Sequence, residues 1–242
     1  MTKPGRLHLL AVAMVLLFAT GDSSAQPSST PVTGGNTARQ PLPAADLRAQ
    51  QPVVGDAKVG VGKAVVCSAC HGPNGVAIAP NFPNLAGQSA TYLYIQLKEF
   101  KDGHRRDPIM SGQAAALSEE DMRNIASYYA SLAPKAAGAS DSSSAGGQLF
   151  LSGNPARGIP PCQGCHGPTG LGPQVIAVHD PQPPWSTYPR LRGQSVLYLN
   201  KALKDFRSGA RVGNTNAKVM QGVATTLDDN DVQALATYLS TL

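Results

Sequence analysis

Aromatic side chains are scarce in this 242-residue chain: five Phe, seven Tyr and one Trp make up 5% of it. That is low for a protein building large cores from side chains alone. Cysteine is limited to four residues, and the motifs described below use all four. Long apolar runs are missing except at the N-terminus. There, Leu7 to Ala19 follows the basic Lys3 and Arg6 and precedes the small-residue stretch Ser23-Ser-Ala25, the plan of a secretory signal over residues 1–25. The run is shorter than the about 20 residues of a transmembrane helix, and an uncleaved anchor is the alternative. No other stretch is apolar enough to span a bilayer, so the mature chain is expected to be exported and soluble. A net charge of +5, together with export, gives no reason to expect nucleic acid as a partner.

What is present is a motif written twice: Cys67-Ser-Ala-Cys70-His71 and Cys162-Gln-Gly-Cys165-His166. C-x-x-C-H is the attachment signature of a c-type haem. Two thiols three residues apart lie on one side of a helical turn and can form thioethers to two vinyl groups of one porphyrin. The adjacent His then sits under the iron and supplies its proximal nitrogen. A redox disulfide would leave both histidines unexplained. A zinc ribbon places its pairs about 15–20 residues apart, whereas Cys70 and Cys162 are separated by 92 positions. Haem also supplies the apolar bulk that the missing aromatics do not.

Residues 26–54 are rich in Ser, Thr, Pro, Gly and Gln, without periodicity, and read as a disordered tether. The first globular unit spans 55–133. Asp56 to Val66 predicts a short helix running into the first haem motif. Thr91 to Lys101 predicts another, with Leu93, Leu97 and Phe100 on one face and Gly103 as its stop. A loop containing Pro108 follows. Ser118 is the expected N-cap of a helix that buries Met122, Ile125, Tyr129 and Leu132. Residues 134–147 read as a flexible Ser/Gly linker, and 148–242 repeat the plan.

The repeat is a duplication. Phe82–Gly103 and Tyr188–Gly209 share 11 of 22 positions at an offset of 106, including Pro83/Pro189, Gly87/Gly193 and Gln88/Gln194. Two domains of one all-α fold follow. The haem motifs are offset by 95, so the second copy carries an 11-residue insertion within Gly170–Tyr188; the last helices are offset by 110, so a later loop is 4 longer.

The duplication also tests candidates for the iron's other axial position. Met110 lies 39 positions after His71 and Met220 lies 54 after His166; the difference of 15 equals the two insertions. Both therefore occupy one structural position, in a loop before the last helix. His/Met ligation is the arrangement of cytochromes c and raises the reduction potential. Met122, matched by Val232, reads instead as core filler. His104, matched by Ala210, and His179, inside the insertion, are the rival ligands, each confined to one domain. Lys98, Lys101, Arg105 and Arg106, with Lys201, Lys204, Arg207 and Arg211, form a basic cluster able to steer an acidic partner or lie on anionic lipid, or else simply a solvated face.

The two CxxCH units, FPNLAGQ and YPRLRGQ, KEFKDGHRRDPIM and the short terminal helices resemble the dihaem cytochrome c4 family, from about Gly55 to the C-terminus. The resemblance implies two tandem class I cytochrome c domains about a pseudo-twofold axis, each wrapped around one covalently bound haem c with His/Met iron. It implies the backbone oxygens of Pro83 and Pro189 as acceptors for the proximal histidines. It further implies a periplasmic, at times membrane-associated, one-electron carrier between a quinol-oxidising respiratory complex and a terminal oxidase or reductase. A dihaem subunit of a larger oxidoreductase, such as a flavocytochrome sulfide dehydrogenase, is the alternative. A dihaem peroxidase would need one open iron, against which the paired methionines argue. The Ser/Gly linker and the insertion with His179 and Trp185 depart from the family pattern.

Overall fold

The computed structural model describes residues 42–135, 138–172 and 187–242. The expected signal peptide, the tether up to residue 41 and most of the 170–188 insertion, including His179 and Trp185, lie outside them. The described chain from residue 42 onward is one compact body with two hydrophobic cores.

In the first half, α1 (Ala57–Lys63), α2 (Ser68–His71), α3 (Ala90–Asp102), α4 (Met110–Ala115) and α5 (Glu119–Ser131) surround the first core. In the second half, α6 (Ala145–Ser152), α7 (Gln163–His166), α8 (Val196–Arg207), α9 (Thr215–Ala224) and α10 (Asp229–Thr241) repeat the order. Among the described residues the only bridges are two isolated pairs, Ala45 with Asn214 and Asn154 with Ile159.

Side-chain caps start most of the longer helices. Asp56 accepts from the Lys58 and Val59 amides at the head of α1, and Ser89 and Ser195 cap α3 and α8. The last helix of each half opens with a reciprocal capping box, Ser118 with Asp121 and Asp228 with Asp231. Behind these caps the apolar stripe does the packing. Met122, Ile125 and Tyr129 are buried on α5, and Val232, Leu235 and Leu239 on α10. Each such side chain contributes about 1.5–3 kcal/mol by leaving water.

Close helix crossing decides a third feature. α1 passes α5 at Gly60, where a Cβ would lie 2.1 Å from the Asn124 carbonyl oxygen. α6 passes α10 at Gly146, where a Cβ would lie 2.1 Å from the Ala234 oxygen. The stretch expected to be a flexible linker therefore ends early: Ser144 caps α6, and Gly146 and Gly147 are buried. Glycine here marks close approach, not flexibility.

The tether also differs from expectation in its described part. The Ala45 amide donates to the Gly213 oxygen (2.8 Å) and the Thr215 amide to the Ala45 oxygen (2.9 Å). Leu47 is buried in the first core, and the Val53 amide donates to Thr91 Oγ1. A composition poor in apolar residues hid the one leucine that docks the segment.

The halves meet through reciprocal polar contacts. Gln88 Nε2 donates to the Arg190 oxygen (2.9 Å) and Gln194 Nε2 to the Asn84 oxygen (3.0 Å). The Arg190 amide donates back to Gln88 Oε1 (2.9 Å), and the Asn84 amide to Gln194 Oε1 (2.8 Å). These pairs are related by the repeat offset of 106, as a pseudo-twofold requires.

Candidate functional site

Each CxxCH segment is a single helical turn. Cys67 has φ −69° and ψ −30°, and Cys162 has φ −64° and ψ −33°. The His71 amide donates to the Cys67 oxygen and the His166 amide to the Cys162 oxygen, both at 3.0 Å. Gly72 and Gly167 end the turns at φ 78° and 74°. A Cβ at Gly72 would lie 2.0 Å from the Val76 oxygen, and at Gly167 2.3 Å from the Gly172 oxygen. Only glycine combines this left-handed backbone with so close a neighbour.

Both histidines are buried, and their surroundings match. His71 Nδ1 lies 2.9 Å from the Pro83 oxygen, and His166 Nδ1 lies 3.0 Å from the Pro189 oxygen. Phe82 stands edge-on to His71 and Tyr188 beside His166. Burial pushes both imidazole pKa values down, against an opposing effect of the prolyl carbonyls. A neutral ring that donates from Nδ1 keeps its Nε2 lone pair for a metal. Burial also raises the thiols, Cys67 upward and Cys162 to about 11, which disfavours a reactive redox pair. Among the described residues no three His, Cys, Asp or Glu side chains gather to hold an ion. Two thiols on one helical turn beside one buried imidazole, with no further ligand gathered, fit a covalently held porphyrin iron better than a zinc ion.

The methionines lie on helices, not in the expected loops. Met110 opens α4, where the Ile109 and Met110 amides donate to Asp107 Oδ1. Pro108 therefore sits just ahead of the helix, where its missing N–H costs nothing. Met220 lies in α9, which Asn214 caps. Both side chains are half-buried, each on the element directly before the last helix of its half. His104 abuts Gly213 at the junction of the halves.

The basic cluster is largely spoken for. Arg105 stacks over Phe100 and donates to Gln96 Oε1; Arg211 is buried over Phe206 and donates to Gln96 Oε1 and Tyr92 Oη. Lys98 pairs with Asp102 and Glu119, Lys101 donates to the Leu117 oxygen, and Lys201 pairs with Asp205. Lys204 and Arg207 share Asp229. Sequence reasoning missed the inward role of Arg105 and Arg211, together with Gln96, Glu99 and Asn214. The paired glutamines were visible as repeat identities, without a role.

Two copies of a helical CxxCH turn, each with a buried histidine tied to a prolyl carbonyl, define tandem c-type cytochrome domains. The Cytochrome c family model matches residues 62–133 and 144–242. Cytochrome c4 of Pseudomonas aeruginosa is 41% identical over 189 residues, covering 78% of this chain and 89% of that protein. The thiosulfate dehydrogenase electron acceptor of Stutzerimonas stutzeri is 37% identical over 182 residues, covering 73% and 79%. The crystal structure of reduced recombinant cytochrome c4 from Pseudomonas stutzeri superimposes with a TM-score of 0.69 at 38% identity, over 78% of this chain and all of that one. The chain belongs to the cytochrome c4 family of dihaem electron-transfer proteins. It is a carrier of electrons and not an enzyme. No described helix is long and apolar enough to cross a membrane.

Proposed function

We propose that each half holds one covalently attached haem c, Cys67 and Cys70 in the first half and Cys162 and Cys165 in the second. When bound, the haem iron supplies a one-electron couple. His71 and His166 present Nε2 to it, oriented by the Pro83 and Pro189 oxygens. Met110 and Met220 would supply the second protein donor to each haem iron, a donor set suited to electron exchange. The single observation that carries this reading is the doubled, buried CxxCH histidine with its Nδ1–H committed to a backbone carbonyl.

The physiological reading is the one that membership of the family implies. The chain is exported after Ala25 to the periplasm. It passes electrons from a quinol-oxidising complex to a terminal oxidase or reductase, with peripheral membrane contact. The relative named as an electron acceptor of thiosulfate dehydrogenase favours a second donor class, a sulfur-oxidising enzyme to which this chain is a partner.

Intact mass of the mature protein is the first test: it should exceed the polypeptide mass by two haems, and by one after Cys67→Ala with Cys70→Ala. The reduced protein should ignore carbon monoxide. Carbon monoxide binding to the unaltered protein would mean an open iron and would move the reading towards a peroxidase. Reduction by thiosulfate dehydrogenase, compared with reduction by a quinol-oxidising membrane fraction, separates the two donors.

A further inference from the structure

The peptide between Pro83 and Asn84 is held at both ends. Its oxygen accepts from His71 Nδ1 at 2.9 Å, and its N–H donates to Gln194 Oε1 at 2.8 Å. The peptide between Pro189 and Arg190 is held in the same way: its oxygen faces His166 Nδ1 at 3.0 Å, and its N–H donates to Gln88 Oε1 at 2.9 Å. In each case the glutamine belongs to the other half of the molecule. Both glutamines are buried. Each is held in turn by its own amide donation to the oxygen of Asn84 or Arg190, and by a following serine amide that donates to its Oε1.

A hydrogen bond donated by a peptide N–H polarises that peptide and makes its carbonyl a better acceptor. A better acceptor draws the imidazole Nδ1–H and makes the ring a stronger donor at Nε2. We infer that Gln194 and Gln88 are positioning residues that act across the junction, each setting the donor strength of the proximal histidine in the opposite half. Gln194 acts on His71 through the Pro83–Asn84 peptide, and Gln88 acts on His166 through the Pro189–Arg190 peptide. The inference rests on the proposed ligation by His71 and His166. It deepens that reading by making the electronic environment of each centre depend on the presence of the other domain.

A stronger imidazole donor favours ferric iron and lowers the reduction potential. Removing the glutamine should therefore raise it, at the distant-half centre only. The test uses the two-haem protein and its Gln194→Leu, Gln194→Glu and Gln88→Leu variants. Haem-resolved redox titration by NMR follows the paramagnetically shifted signals of each centre. Gln194→Leu should raise the potential of the His71 centre and leave the His166 centre in place, and Gln88→Leu should do the reverse. Gln194→Glu keeps an acceptor and adds charge, so the His71 centre should shift downward. Loosening of the junction alone would move the Leu and Glu variants in the same direction, and that result overturns the inference. So does a shift at the glutamine's own half, or no shift at either centre with both ligand signatures intact. Shifted imidazole signals in the unaltered protein that belong to residues other than His71 and His166 would overturn the ligand assignment instead, and the inference with it.

Discussion

Glu99 and Asp205 occupy the same place on equivalent helices, α3 and α8, and meet opposite surroundings. Glu99 is buried at the junction, where it accepts from Gln96 Nε2 and Asn214 Nδ2 and lies near Arg211. Asp205 is partly exposed and pairs with Lys201 one turn earlier. The neighbours diverged with them: the counterpart of the buried Gln96 is Ala202. The difference teaches that the pseudo-twofold holds at the proximal loops, through Gln88 and Gln194, and at the arginines, where Arg105 meets Tyr198 and Arg211 meets Tyr92, and that it breaks at Gln96, Glu99 and Asn214. A duplicated chain keeps the symmetric contacts that position both sites, while the rest of the junction recruits a carboxylate from one side only.

The largest test breaks the comparison at the irons. Met110→Ala and Met220→Ala should each open one centre to carbon monoxide and lower its potential, within the about 0.8 V range over which axial ligands act. Haem-resolved titration should show each change confined to its own half.

Next comes the junction itself. Glu99→Ala leaves the buried Gln96 and Asn214 amides without their acceptor and should cost about 1–3 kcal/mol. Asp205→Ala removes an exposed i,i+4 pair and should cost about 0.3–0.5 kcal/mol. Denaturant unfolding of the two variants measures the ratio, and equal losses would show that the burial difference has no energetic consequence.

The helix crossings should sharpen the symmetric side. Gly60→Ala and Gly146→Ala each push a methyl into a backbone carbonyl, for an overpacking cost of about 1–3 kcal/mol apiece. Similar losses in the two halves, read from thermal unfolding, would establish the equivalence of α1 and α6.

The smallest difference is in acid. Asp121 holds α5 with Lys63, and its carboxyl is lowered to about 2 by Lys63 and Ser118. Its counterpart Asp231 is lowered chiefly by Arg157, which reaches it through two nitrogens from a loop that the first half lacks. A depressed carboxylate stabilises above its unfolded pKa of about 3.9 and loses that contribution as pH falls through the folded value. Stability should thus drop between about pH 4 and pH 2, and Asp121→Asn or Asp231→Asn should flatten that limb. Arg157→Ala should shift the acid midpoint further than Lys63→Ala, because two parallel bonds hold one carboxylate there.

Much of this was legible beforehand because it is local. The Ser118 cap, the stop at Gly103 and the buried stripe Met122, Ile125 and Tyr129 follow from spacing and side-chain chemistry within one helix. The readings that failed depended on distant partners. Pro108 is the exception: with Asp107 it forms a local start signal for α4, which the loop reading overlooks. Gly146 looked like linker because the helix it packs beside, α10, begins some 80 residues later. Arg105 and Arg211 looked like surface charge because Tyr198 meets the first, and Tyr92 and Gln96 the second, only across the junction of the halves.

The sequence by itself determined the haem motifs, the duplication, the equivalence of Met110 with Met220 and the all-helical class. Each of these depends on short-range spacing or on comparing the chain with itself, and neither needs a third dimension. Only the tertiary structure decided that the segment near Leu47 docks, that Glu99 is buried while Asp205 is not, and that Gln88 and Gln194 reach across to the proximal loops of the opposite halves. Those outcomes hinge on which surfaces meet, and burial and hydrogen bonding between residues about a hundred positions apart are set by packing, not by local propensity.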